Sequence, residues 1–174
     1  MKKNHNCHVY KIERVNNFKE MVERSAKKYS DHVAYKFKIN LGKPNQKIIE
    51  KTYSEVKTEI EGLGTSLLNL GLEGKKVAII SNNRYEWCVS YFAITTSNIV
   101  AVPLDKMLPA QEIESLIKRA KVDAVIYENK YKDIFENIRE KGETTLKYYI
   151  NMDLKEDKNE VLSFHFEKCD FFKY

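Results

Sequence analysis

The sequence predicts an α/β fold: a parallel, doubly wound sheet with helices on both faces, plus an antiparallel hairpin near the amino terminus. Three observations predict it. Residues 77–80, 99–102, 124–127 and 146–150 are short, largely apolar runs of the kind strands need when both faces are covered. Segments with helical apolar spacing lie between them, and strands that alternate with helices build parallel sheets through right-handed crossovers. Ahead of these, residues 33–39 alternate apolar and polar and 47–53 do so more loosely, with Leu41-Gly42-Lys43-Pro44-Asn45 between, which reads as a hairpin with one wet face.

The elements follow in order. Phe18, Met21, Val22, Ala26 and Tyr29 fall on one helical face, Asn17 and Glu20 stand at capping-box spacing, and Ser30-Asp31 ends the helix. After the hairpin, Thr52-Tyr53-Ser54-Glu55 has the form of a second capping box. Val56, Ile60, Leu63, Leu67, Leu68 and Leu70 then keep helical spacing until Gly71 supplies a stop. Gly62 and Gly64 inside that helix each cost about 1 kcal/mol relative to Ala, so close approach to a neighbouring backbone is the expected reason for them. The stretch Gly71-Leu72-Glu73-Gly74-Lys75 is not a phosphate loop. Asn69 stands where the first Gly belongs, Lys76 stands where Ser or Thr belongs, and the stretch precedes a strand instead of following one.

The centre of the chain is a β-α-β unit. Ser81-Asn82-Asn83 ends the first apolar run, and Asn83 with Glu86 has the spacing of an N-cap and its box partner for a helix over 84–97. That helix is apolar nearly all round, so it is expected to lie between two layers with Trp87 in the core. The second run ends at Pro103. Pro109 suits a first helical turn, and Ile113, Leu116, Ile117 and Ala120 form one stripe. Tyr131, Ile134, Phe135 and Ile138 form another, ahead of the run at 146–150. Beyond Asn151 the periodicity is lost. Residues 1–15 therefore read as a flexible tail, 16–150 as the α/β unit, and 151–174 as an irregular segment leading elsewhere.

Composition bounds the function. With 174 residues, 43% hydrophobic and 32% charged, one domain with a real core is expected. The net charge of +5 is spread along the chain without a block of one sign, which fits a solvated surface better than a nucleic-acid face. Cys7, Cys88 and Cys169 are odd in number and lack CxxC spacing, pointing to a reducing cytoplasm with no disulfide framework. The basic amino terminus has no apolar core of a signal peptide, and no run of about 18 apolar residues occurs. His5, Cys7 and His8 lack a second ligand pair at metal-site spacing. His32 and His165 read as surface or packing residues instead of bases.

Five short stretches now stand in one order: Phe18-Lys19-Glu20-Met21, Thr52-Tyr53-Ser54-Glu55-Val56, Gly74-Lys75-Lys76-Val77-Ala78-Ile79, Asn83-Arg84-Tyr85-Glu86-Trp87 and Val102-Pro103-Leu104-Asp105. In order and spacing they resemble the N-terminal portion of an AMP-forming acyl-CoA synthetase, over roughly residues 16 to 150. The stretches at 81–87 and 103–109 look most like the long-chain fatty acid–CoA ligases. One position departs from the family: Asn98 stands where Gly is usual before the V-P-L-D strand. Asn is the best non-glycine substitute there if the backbone is left-handed.

The resemblance implies ATP-dependent activation of a fatty acid and acyl transfer to CoA, with ATP, Mg²⁺ and CoA serving the full-length enzyme. The family's Ser/Thr/Gly-rich phosphate loop, its adenine motifs, its Mg-binding Glu and the C-terminal domain with the catalytic Lys have no match in this sequence. No catalytic residue and no metal ligand is assigned, and this segment is expected to be inactive alone, with no cofactor of its own. Relatives place the nucleotide end of CoA near the loops after the V-P-L-D strand and after the next strand. In this sequence Lys106, Lys130 and Lys132 occupy those loops. An ammonium suits the 3′-phosphate, and the alternative is that these are solvated surface lysines. Fatty acid and CoA are the implied partners, with peripheral membrane contact through the substrate and no nucleic acid. The other reading of the whole chain is a free-standing, non-catalytic α/β binding or interaction module.

Overall fold

The computed structural model describes residues 14–40, 42–154, 157 and 161–164. The elements run α1 (Phe18–Tyr29), β1 (Val33–Ile39), β2 (Lys47–Thr52), α2 (Tyr53–Asn69), β3 (Lys76–Ile80), α3 (Tyr85–Thr96), β4 (Val100–Pro103), α4 (Ala110–Ala120), β5 (Ala124–Tyr127), a 3-10 turn at Asn129–Tyr131, α5 (Lys132–Lys141), β6 (Tyr148–Asn151) and β7 (Val161–Ser163). Strands β4-β3-β5-β6-β7, in that spatial order, form a sheet in which every neighbouring pair is parallel. The other two strands, β1 and β2, form a separate antiparallel pair. Fold class and hairpin are as the sequence predicts.

Successive residues of a strand face opposite sides, and here both sides are covered. Ala78, Ile80, Val125 and Tyr127 pack with Ile113 and Ile117 of α4 and with Phe135 and Ile138 of α5. Val77, Ile79, Ala124 and Ile126 pack on the other side with Leu67 of α2 and Ile94 of α3. Each fully buried Val or Ile in these layers contributes about 1.5–3 kcal/mol relative to exposure. The chain turns to one side after β3, through α3 to β4, and to the other after β5, through α5 to β6. The carboxyl ends of β3 and β5 therefore flank the topological switch point, where open α/β sheets receive ligands.

The hairpin lies against the outer surface of the α2–α3 layer. Tyr35 and Phe37 pack on Val56, Ile60, Tyr85, Val89 and Ala93, and the Phe37 and Tyr85 rings stack at 4.8 Å with 11° between planes. A buried carboxylate lies in the same contact. Glu59 accepts from the Tyr85 hydroxyl at 2.5 Å and from Lys51 Nζ at 2.6 Å. Burial first, and the bond to Glu59 second, push the Tyr85 hydroxyl far above its ordinary pKa.

Several local expectations change in detail. The α2 capping box forms in full, with Glu55 N donating to Thr52 Oγ1 and Thr52 N donating to Glu55 Oε2. At α1, Asn17 Oδ1 accepts from Glu20 N, but the Glu20 carboxylate reaches one residue further back, to Asn16 N and Nδ2. The box expected at Asn83 and Glu86 does not form: the cap of α3 is Arg84, in extended conformation, and Glu86 accepts from the Arg84 Nε instead. An ion pair at 2.7 Å has outcompeted a cap. Pro109 is the N-cap residue of α4, one position before its first turn. The strand expected at 99–102 runs from Val100, because Ile99 N still donates to Ile94 O at the end of α3.

Asn98, at φ 56°, takes the left-handed conformation that the sequence demands of a glycine substitute. Gly64 meets the other expectation in part, since α3 does approach it closely, but a Cβ built on it would first meet a side chain, Ser97 Oγ at 2.3 Å, with the nearest backbone atom, Ala93 O, at 3.4 Å. Residues 151–174 are not wholly irregular, because Val161–Ser163 add β7 to the sheet edge. Three residues are too short to show a period. Of the expected tail, only Arg14 and Val15 are among the described residues; His5, Cys7, His8, His165 and Cys169 lie outside them.

Candidate functional site

Four loops meet at the carboxyl ends of β3, β4, β5 and β6. Within two residues of each strand end stands an Asn, Asp or Glu, here Asn82, Asp105, Glu128 and Asp153, whose side chain hydrogen-bonds within the loops instead of extending a ladder. At the switch point the loop after β3 is joined to the loop after β5. Asn82 N donates to Glu128 Oε2 at 2.8 Å, Asn82 Nδ2 donates to Glu128 Oε1 at 3.2 Å, and Lys130 Nζ donates to Asn82 Oδ1 at 3.1 Å.

A second set of contacts ties in the turn after β6. The guanidinium of Arg84 donates from Nη1 to Asp153 Oδ1 at 2.7 Å, and Asn129 N donates to Asp153 Oδ2 at 2.8 Å. Asn151, fully buried, donates to Asn129 Oδ1 and accepts from Asp153 N. Burial alone would lower the Arg84 pKa, but the bonds to Glu86 and then Asp153 outweigh it and hold the guanidinium charged. Carboxylates and cation thus satisfy one another inside the loops.

The loop after β4 is fixed by Asp105, whose Oδ1 accepts from Met107 N at 2.9 Å, and by Tyr131, whose hydroxyl donates to the Lys106 carbonyl at 3.0 Å. Lys130 Nζ lies 4.6 Å from the centre of that same Tyr131 ring. Of the three lysines singled out in the sequence, Lys106 and Lys130 are therefore brought to one tyrosine, both exposed. Lys132 stands at the start of α5 and pairs with Glu136 at 3.5 Å, four residues on. The resemblance marked the loops that carry Lys106, Lys130 and Lys132, but Asp153 was missed, because it falls where the periodicity is lost. The usable signal was its place two residues beyond a strand end.

Chemically the arrangement offers ammonium groups and backbone turns to an anionic ligand, with no nucleophile paired to a base. Among the described residues, no three His, Cys, Asp or Glu side chains gather as a metal-binding group, and no step through Mg²⁺ is derived from this chain. No helix among them is long and apolar enough to cross a membrane.

A parallel sheet with its polar loops gathered at the carboxyl edge is the place where open α/β folds receive ligands, and comparison with known proteins narrows the class. Residues 22–169 match the family described as AMP-binding enzyme, and the chain belongs to that family. It is 35% identical over 120 residues to long-chain-fatty-acid–CoA ligase 5 of Rattus norvegicus and 38% identical over 121 residues to that of Mus musculus, covering 66% of this chain in each case. The chain spans 18% of the length of either relative. Its fold is similar to that of Mycobacterium tuberculosis fatty acyl CoA synthetase, with a TM-score of 0.68 at 23% identity over 79% of this chain and 26% of the other. Coronafacic acid ligase from Pectobacterium brasiliense gives 0.71 at 23% identity, over 85% of this chain and 28% of the other.

Proposed function

We propose that this chain supplies the N-terminal α/β part of an AMP-forming fatty acid–CoA ligase, residues 16–150 being a subdomain of its adenylate-forming domain. In that reading ATP activates a fatty, long-chain carboxylic acid, and the acyl group passes from the adenylate to CoA. The observation that supports it most is the joint one: a family match over residues 22–169 and, on the matched sheet, the exposed Lys106 and Lys130 in adjoining carboxyl-edge loops, joined through Tyr131 by the Lys106 carbonyl and the Lys130 ammonium. The exposed ammonium groups of Lys106 and Lys130 would meet the 3′-phosphate of CoA, with Lys132 behind them in the first turn of α5. The cytoplasm suits such chemistry and the thiol of Cys88.

Adenylation is not assigned to these residues. In-line attack of a carboxylate on an α-phosphate needs cations and backbone donors aimed at the developing charge. At this edge of the sheet Arg84 is engaged with the carboxylates of Glu86 and Asp153, and Lys106, Lys130 and Lys132 are the lysines read as CoA contacts, Lys132 also pairing with Glu136. A pyrophosphate-release assay with ATP, Mg²⁺ and palmitate tests this division. The chain alone is expected to give the buffer rate; turnover above it would place adenylation in residues to which this reading gives no such role.

A further inference from the structure

We propose that Asp153 is a positioning residue that holds the 3-10 turn carrying Lys130 and Tyr131, and so sets the geometry of the lysine loops from the neighbouring loop after β6. The inference deepens the reading above for its ligand, but its geometric part stands on contacts alone.

Asp153 is the first charged residue after β6, and each of its carboxylate oxygens has a different partner. Oδ1 accepts from Arg84, in the loop after β3; Oδ2 accepts from Asn129 N, the first residue of the turn after β5. The side chain therefore bridges the loops of three neighbouring strands. Its own backbone is pinned in turn, since Asp153 N donates to Asn151 Oδ1 and Met152 N donates to Tyr127 O. From Asn129 the chain of contacts continues outward. Tyr131 N donates to Glu128 O, the Tyr131 hydroxyl donates to the Lys106 carbonyl, and the Lys130 ammonium lies over the Tyr131 ring. This three-residue 3-10 turn closes only the bonds Tyr131 N to Glu128 O and Lys132 N to Asn129 O, which leave the N–H of its first residue, Asn129, to find an acceptor elsewhere. An ionised acceptor on its first N–H, itself locked by an arginine, supplies what the turn lacks.

Asp153 does not touch the proposed ligand position. It acts through Asn129 on Lys130 and Tyr131, and its removal should loosen the turn without opening the sheet. Residue-resolved amide exchange by NMR reads this directly. In Asp153→Asn, which keeps one oxygen and loses the charge, the amides of Asn129 and Tyr131 should exchange about tenfold faster. Val125 and Ile126 in β5 should keep the wild-type rate. Arg84→Met should produce the same pattern more weakly, and Arg84→Lys should restore part of the protection; if Asp153→Asn does not fold, these two variants decide. Unchanged exchange at Asn129, or an equal rise at Val125 and Ile126, would overturn the proposal, the latter by making Asp153 a general stabilising residue.

A parallel titration with CoA and 3′-dephospho-CoA separates this claim from the functional reading. If the turn presents Lys130 to the 3′-phosphate, Asp153→Asn should weaken CoA about tenfold and leave 3′-dephospho-CoA unchanged. Loosened exchange in a protein whose wild-type form does not distinguish the two ligands would leave the positioning role standing and remove CoA as the ligand it serves. Undiminished preference for CoA in Asp153→Asn, with the turn loosened, would overturn the link between the turn and the ligand.

Discussion

The hydroxyl of Tyr85, the first residue of α3, donates to the carboxylate of Glu59 in α2 at 2.5 Å, and Lys51 of β2 holds the other oxygen at 2.6 Å. One buried carboxylate thus joins the hairpin, α2 and the start of α3. Because Arg84 immediately precedes Tyr85, the same contact fixes the point from which the arginine reaches Asp153.

Breaking that junction from one side should be costly. The Glu59 side chain is 9% exposed and Lys51 23%, so Lys51→Met strands a charge, and a loss of about 2–3 kcal/mol is expected by urea denaturation. Glu59→Leu should cost a similar amount. The double variant should cost less than the sum, since neither charge then needs solvation. Strict additivity would show that Lys51 and Glu59 are not coupled.

Gly64 and Ser97 form a second paired test. Gly64→Ala gains about 1 kcal/mol of helix propensity but drives a methyl into Ser97 Oγ, an overpacking that costs about 1–3 kcal/mol. The single variant should melt lower than wild type. In a Ser97→Ala background the contact with Oγ is gone, and the same Gly64→Ala change should raise the melting temperature. Loss in both backgrounds would locate the conflict at the Ala93 carbonyl instead.

The alkaline limb of stability should belong to buried tyrosines. Burial, with Cys88 second for Tyr35, pushes the hydroxyls of Tyr35 and Tyr127 from an ordinary value of 10.0 up to about 12. A raised folded-state pKa favours the neutral form in the native protein. Stability from these groups is complete below pH 10 and is lost as the pH climbs from 10 through about 12. Urea midpoints should fall over that window, and Tyr127→Phe should flatten the fall. A slope unchanged by the substitution would remove Tyr127 as a source.

Trp87 marks the limit of reading burial from pattern. The helix around it is apolar on every side, which predicts a core position, yet Trp87 is only partly buried: it packs at the margin of the cluster that holds Leu67, Ile79 and Ile150 and stacks on Tyr91 at 5.4 Å, 4° from parallel. The cost of Trp87→Ala is therefore expected at about 2 kcal/mol, below the 3–5 of a fully enclosed tryptophan. A measured loss in the higher range would return it to the core.

Strands with both faces covered were legible because burial on two sides leaves a run with no polar interruption, as at Val77, Ala78, Ile79 and Ile80, all fully buried. Backbone demands were legible where few residue types meet them, as at Gly64, which leaves room for Ser97 inside a helix, and at Asn98, which takes a left-handed conformation where relatives carry Gly. The loops after the strands could be named as a site, but their pairing could not. Glu86 had two possible partners, Asn83 by local spacing and Arg84 by charge, and periodicity does not decide between them. Asp153 was invisible for a different reason: its partners, Arg84 and Asn129, are 69 and 24 residues away in sequence.

The sequence alone gives this segment no cofactor of its own, whereas the lysine edge is proposed to receive CoA, so the most direct test of the account is the binding of CoA and 3′-dephospho-CoA to this chain, measured by calorimetry for the wild type and for Lys106→Ala/Lys130→Ala/Lys132→Ala. The wild type is predicted to prefer CoA by about tenfold or more, the worth of one charge-assisted contact, and the triple variant to lose that preference. Equal affinity of the wild type for both ligands, or a preference that survives the three substitutions, would contradict the placement of the CoA phosphate at this edge of the sheet.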